Sequence, residues 1–216
     1  MRTLTKLFTA LFLMTTPLWA DAPKALSVNE ITQKVQEAQD SVQDQQMRIE
    51  TNMKDTLSGQ EKHFRGTVQI KADKVFVHYE KPDEQLLYIV GDKMQMYVPT
   101  QETVYTQDTG KGRAPFYLGV GRALKKYVKV SRVSITKDNN DEVVLLFIPY
   151  DDKQGFDRMK VAIHKKDWWP YQMEMDTPSV TAKAEFKDLK FNQGLQDSLF
   201  KFTPPKDTEV VEGSAF

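Results

Sequence analysis

The sequence predicts a mainly β fold of the α+β class: one strongly curved antiparallel sheet accompanied by one long helix and one short one. Three observations lead there. Apolar residues recur at helical spacing near the start of the chain. From about residue 47 the period changes to two. Turn-forming residues then interrupt the alternation at short intervals, which is the layout of short antiparallel strands.

The helix is predicted over about residues 28–43. Ser27 followed by Glu30 is a capping-box pair. Val28, Ile31, Val35, Ala38 and Val42 then fall on one helical face, with Gln, Glu, Asp and Lys opposite. Met47, Ile49, Thr51 and Met53 begin the alternating pattern, and the Ser58-Gly59 turn leads to Phe64, Val68 and Ile70. Val75, Val77 and Tyr79 follow, then residues 86–90, a Gly91-Asp92 turn, and Met94, Met96 and Val98. Gly110, Gly112 and Pro115 mark a loop, and residues 116–126 read as the short helix. Strands are expected again at 127–136, 143–149, 158–164, 171–176 and 180–191. Residues 138–141, Asp-Asn-Asn-Asp, make a hairpin turn. Residues 198–211 add an edge strand after Pro204-Pro205. The apolar strand positions are many for a sheet with one watered face. Either an internal cavity or a well-packed core accounts for that.

Residues 1–20 have the three-part layout of a secretory signal peptide: Arg2 and Lys6, the apolar run Leu7–Met14, and a small residue, Ala20, before Asp21. That run is too short to span a bilayer. Residues 21–216 are then one expected domain of 196 residues, enough for a sizeable core. Setting aside Arg2 and Lys6, the 30 basic and 30 acidic residues leave a net charge of −2. A near-neutral surface of mixed sign argues against nucleic acid as a partner. Cysteine is absent, so disulfides, thiol nucleophiles, thiolate metal sites and a lipid-modified cysteine are excluded.

Residues that carry chemistry are scattered. His63, His78 and His164 have no metal-ligand spacing and read as strand-face histidines. No serine stands in a G-x-S-x-G elbow. The pairs Gly110/Gly112 and Gly119/Gly121 do not follow a strand into a phosphate-binding loop. Asp151-Asp152 reads as a solvated pair. Trp168-Trp169-Pro170 reads as a strand-start anchor with one ring packed, or alternatively as a membrane or partner contact. The sequence therefore predicts no enzyme, no cofactor and no metal.

Residues 71–99, KADKVFVHYEKPDEQLLYIVGDKMQMYVP, resemble the signature region of the LolA family of lipoprotein carriers. Pro82-Asp83-Glu84, Gly91 and Tyr97-Val98-Pro99 fall into the family's register without a gap. Ala114–Leu118 is similar to its T-P-F-x-L, and Phe200–Pro205 to its F-x-F-x-P-P. The resemblance implies an incomplete, strongly curved antiparallel barrel with a hydrophobic cavity closed by a helical lid. It implies a periplasmic chaperone, acting as a monomer, that binds acylated lipoproteins. Such a carrier receives them from an inner-membrane lipoprotein-releasing ABC transporter and passes them to an outer-membrane lipoprotein acceptor. The competing readings are a periplasmic lipid- or protein-sensing domain of the same fold, a small exported lipid hydrolase, and a structural β-domain.

The same resemblance assigns residues. The family's lid-latching arginine falls on Lys71, with carbonyls near Gly119 and Val120 as its partners. The proline beside it falls on Ala72. Lysine keeps the charge but lacks the planar fork of arginine, so a weaker latch is expected. The family's aromatics fall on Val75 and Val77, which assigns Val75, Val77 and Tyr79 to the acyl-chain cavity. Leu86, Tyr88, Met94 and Met96 are expected to line it from the next strands. Ile31, Val35 and Ala38, in the lid helix, and Phe116 and Leu118 are expected to line the same acyl-chain cavity.

Overall fold

The structure, a computed structural model, describes residues 25–108 and 120–213, with only the backbone over 120–123. The predicted signal segment 1–20, and Phe116, Leu118 and Gly119, lie outside the described residues.

Helix α1 spans Val28–Asp40. The capping box forms as expected: the Ser27 amide donates to Glu30 Oε2 at 2.7 Å, and the Glu30 amide donates to Ser27 Oγ at 3.2 Å. The helix stops three residues before the predicted end. The Gln43 amide instead donates to Asn192 Oδ1 at 2.8 Å, and Asp44 is drawn into the next strand.

The strands are β1 (Asp44–Asp55), β2 (Glu61–Lys71), β3 (Lys74–Lys81), β4 (Gln85–Val90), β5 (Lys93–Val98) and β6 (Thr103–Asp108). Helix α2 (Val120–Val130) comes next. Then follow β7 (Ser131–Asp138), β8 (Glu142–Pro149), β9 (Arg158–His164), β10 (Pro170–Asp176), β11 (Val180–Phe191) and β12 (Glu209–Glu212). They form one sheet in the order β12-β6-β5-β4-β3-β2-β1-β11-β10-β9-β8-β7. Every described pairing is antiparallel except β12 with β6. The sheet is curled but open, as β12 and β7 remain at opposite edges.

Three elements differ from expectation. The strand predicted over 127–136 begins at Ser131, because α2 runs on to Val130. Leu124, Tyr127 and Val128 sit at helical spacing and pack on the core, Tyr127 edge-on to Phe156 at 5.8 Å. β6 has no counterpart among the predicted strands. The predicted edge strand over 198–211 is mostly an irregular arm that ends in the short β12.

The alternation buries one face of nearly every strand. Ile31, Val35 and Leu124 of the two helices join Met47, Ile49, Val68, Val77, Leu87, Met96, Leu145, Phe147, Met159, Val161, Met173 and Phe186 in a single apolar cluster. We call this the inner face. On the outer face of β3–β5 a second layer forms. Phe76 stacks on Tyr88 at 4.7 Å, Phe202 of the arm stacks on Tyr88 at 4.9 Å, and Tyr97 lies 5.8 Å from Phe202.

Candidate functional site

Strand register decides which side chains share a face, because directly paired residues point the same way. Val77 pairs with Leu87, and Leu87 with Met96. Val75 pairs with Ile89, and Ile89 with Met94. Val75, Val77, Tyr79, Met94 and Met96 therefore stand together on the inner face, beside Ile31 and Val35. Ile31, Val35 and Val77 are wholly buried, and Ala38 is half-buried.

Leu86 and Tyr88 must be reassigned. Leu86 pairs with His78 and Tyr88 with Phe76, so both stand on the outer face. The inner positions of β4 are Leu87 and Ile89, which the sequence reading missed. The run Leu86–Val90 is apolar at both parities, so alternation alone does not choose a face. The register across the Pro82–Glu84 connection does, and counting from Tyr79 through that turn is the signal that identifies Leu87.

Lys71 also stands on the outer face, one residue beyond the inner Ile70. Its amine donates to the Leu195 carbonyl at 2.7 Å and lies 3.2 Å from the Asp197 carboxylate, which Lys74 approaches at 3.1 Å. Of its expected partners, Gly119 lies outside the described residues, and of Val120 only the backbone is described. The partners seen belong to the C-terminal arm. Ala72 sits in the β2–β3 turn at φ 53°. Proline, fixed near −65°, could not adopt that conformation, so this turn differs from one with proline at the same position.

The arm has a second anchor next to the first, since Asp44 pairs with Lys71 across β1 and β2. Asp44 is buried, and its carboxylate accepts from three successive amides: Gln193 at 2.7 Å, Gly194 at 2.9 Å and Leu195 at 3.0 Å. These bonds replace the water that burial removes. Beyond them Phe200 is buried, and Phe202 enters the outer aromatic layer. The F-x-F-x-P-P block is thus the segment that straps the arm across the outer face.

The Asp197 carboxyl is held below the usual aspartate range by the hydrogen bond from Lys74 and next by that from Lys71. A depressed folded-state pKa contributes stability that is whole above the unfolded value, about 4. That contribution is lost as pH falls through the folded value. Amide-exchange protection over residues 193–200 is expected to hold near neutral pH and to fall selectively in acid below about 4. Equal protection in both conditions would show that this ion cluster does not secure the arm.

The remaining candidates are dispersed. His63 pairs with Asn52 at 2.7 Å, His78 with Glu84 at 2.9 Å, and His164 stacks on Tyr171 at 3.9 Å. Tyr171 donates to Glu142, and desolvation together with that carboxylate pushes its pKa up to about 12. This is a strand-tying contact between β8 and β10. No group of three acidic or histidine side chains is placed to hold a metal among the described residues. Trp169 packs on Phe191 at 4.6 Å, while Lys34 lies 5.1 Å over the Trp168 ring. A groove of about 720 Å³ between α1 and α2 is lined by Asn29, Gln33, Gln36, Glu37, Lys125 and Lys129 among others.

Comparison with known proteins agrees with this architecture. The family model described as outer membrane lipoprotein carrier protein LolA matches residues 50–203. An uncharacterised protein of Methanocaldococcus jannaschii is 26% identical over 215 residues, covering 97% of this chain. The chain spans only 61% of that relative's length. The crystal structure of an uncharacterised conserved protein from Thermus thermophilus superposes with a TM-score of 0.57 at 15% identity, covering 86% of this chain and 98% of that one. That likeness shows the fold. A LolA superfamily protein from Nitrosomonas europaea aligns at a TM-score of 0.44 and 13% identity, covering 82% and 99% of the two chains.

Proposed function

The chain belongs to the LolA family of outer membrane lipoprotein carriers, and on that premise we propose that it is a periplasmic carrier of lipoprotein acyl chains, which it shelters against its inner face. The observation that supports this reading is the continuity of that face. One apolar cluster runs from both helices across strands at both ends of the sheet. The described residues around it assemble no catalytic constellation.

The physical task is large. Burying a methylene contributes about 0.8 kcal/mol, so one acyl chain of roughly sixteen carbons loses about 12 kcal/mol on exposure to water. A carrier removes that penalty during transit. It must also release its cargo, which favours an adaptable wall over a rigid mould. Met47, Met96, Met159 and Met173 supply unbranched, polarisable side chains on the inner face. Ile31 and Val35 are wholly buried against it. Acyl chains therefore enter by separating α1 from the sheet, and they replace the contacts that α1 gives up. The donor in this scheme is an inner-membrane lipoprotein-releasing transporter, and the recipient is an outer-membrane acceptor.

The test is release. The purified protein is incubated with membranes that carry the transporter and a radiolabelled triacylated lipoprotein. Labelled lipoprotein is expected in the soluble fraction, bound one-to-one. A folded protein that leaves all label in the membrane would overturn the carrier reading. Met96→Glu, which places a charge on the buried face, is expected to abolish release.

A further inference from the structure

Among the described residues the inner face carries polar atoms that the fold leaves unsatisfied: Gln85 Oε1 on β4, and a pair of residues on the neighbouring elements α1 and β7. Gln39 lies four residues after Val35 and eight after Ile31, on the same buried stripe of α1, and it is 4% exposed. Neither its Nε2 nor its Oε1 has a hydrogen-bond partner. Ser131 opens β7 at 1% exposure, and its Oγ is also unpartnered. Ser131 pairs with Pro149, two residues along from the Val133–Phe147 pair that faces the core, so it too points inward. α1 packs against β7, the strand that Ser131 begins.

A buried amide left unpaired is costly, and a leucine at the same place would bury without that loss. The packed helix nevertheless buries a glutamine beside Ile31 and Val35, although the sequence spacing places the glutamines on the opposite face. The cost is recovered if a partner arrives with a ligand. On the carrier reading, that ligand is an acyl chain joined to its head by an ester. Its carbonyl is the one strong acceptor that must enter an apolar space along with the chain.

We propose that Gln39, assisted by Ser131, is the polar anchor of the inner face and binds the ester carbonyl at the head of a bound acyl chain. Gln39 Nε2 and the Ser131 hydroxyl donate to carbonyl oxygen. Gln39 Oε1 accepts from a hydroxyl or amide N–H of the same head group. The anchor sets how deep the chain sits and favours acyl esters over plain hydrocarbon. This inference rests on the carrier reading and deepens it.

The experiment compares two fluorescent probes on the whole protein: a diacylglycerol and the dialkylglycerol of equal chain length, whose ether links remove only the carbonyl oxygens. Wild type is expected to bind the ester about ten times more tightly, as one satisfied buried hydrogen bond predicts. Gln39→Leu is expected to lose most of the ester preference and to keep only the smaller part that the Ser131 hydroxyl supplies. Ser131→Ala is expected to narrow the preference by less. Gln39→Leu is also expected to melt at a higher temperature without ligand, because it removes an unpaired amide. A lower melting temperature would show that Gln39 has a structural partner such as buried water, and would overturn the proposal. An ester preference that is absent from wild type, or that survives undiminished in Gln39→Leu, overturns it too. Binding of neither probe by folded wild type overturns the carrier reading and the anchor together. Competition separates the possible sources of the ester: a triacylated lipopeptide is expected to displace the probe at lower concentration than a diacyl phospholipid. Displacement by neither counts against the anchor.

Discussion

Gly66→Ala is expected to destabilise the protein by about 3 kcal/mol, in the range of severe overpacking at a site that cannot relax. A Cβ at this position would lie 2.3 Å from the His78 carbonyl oxygen and 2.9 Å from the Tyr79 Cα. Both atoms are backbone in the neighbouring strand, so no side-chain rotation gives relief. The approach is this close because the β2–β3 register shifts between Arg65 and Gly66, where the sheet bends. Equilibrium urea unfolding measures the effect as a lowered midpoint at unchanged slope. Gly59→Ala is the control. Nothing lies within 4 Å of it, and only its φ of +72° opposes the substitution, which costs about 1 kcal/mol. Equal effects at the two glycines would contradict the described β2–β3 register.

Asp44→Ala is expected to cost a similar amount, roughly 3 kcal/mol, by leaving three amides at a buried site without their shared charged acceptor. The loss should be local as well as global. Exchange of the Gln193, Gly194 and Leu195 amides is expected to rise towards the unprotected rate while the amides of β8 and β9 keep their protection. Asp44→Asn, which retains one acceptor oxygen, should fall between alanine and wild type. A uniform loss of protection over the whole chain would show that Asp44 supports the sheet and not the arm. The acid response of Asp197 reports on the neighbouring anchor, so the two measurements examine the same strap from its two ends.

Much of this molecule can be read from the chain. The capping box of Ser27 and Glu30 and the spacing of Ile31 and Val35 specify α1, because those contacts lie within four residues of each other. The alternation of Met47, Ile49 and Thr51, and of Val75, Val77 and Tyr79, specifies strands with one apolar face for the same reason. The blocks at 71–99 and 200–205 carry the family resemblance, and with it the curled sheet. At other positions the chain is ambiguous in ways that have identifiable physical causes. In Leu86–Val90 both parities are apolar: the core covers Leu87 and Ile89, Phe202 stacks on Tyr88, and Val90 stays exposed. Over 127–136 the valines satisfy a helical and an alternating period at once. Lys71 carries its charge in any fold, but the group it meets comes from residues 195–197.

What the sequence determines alone is local in origin: helix start, strand period, turns, and the absence of sulfur chemistry. Tertiary structure decided the rest, because it depends on which segments pair and pack, several of them more than a hundred residues apart. It set Leu87 and Ile89 inward by register, and Leu86 and Tyr88 outward beneath the arm. It placed the Asp44 carboxylate against amides 193–195, and it turned Lys71 towards that arm. It also left Gln39 buried without a partner: the helical spacing sets the glutamines opposite the apolar face, and only the packed neighbours bury this one where nothing answers its amide.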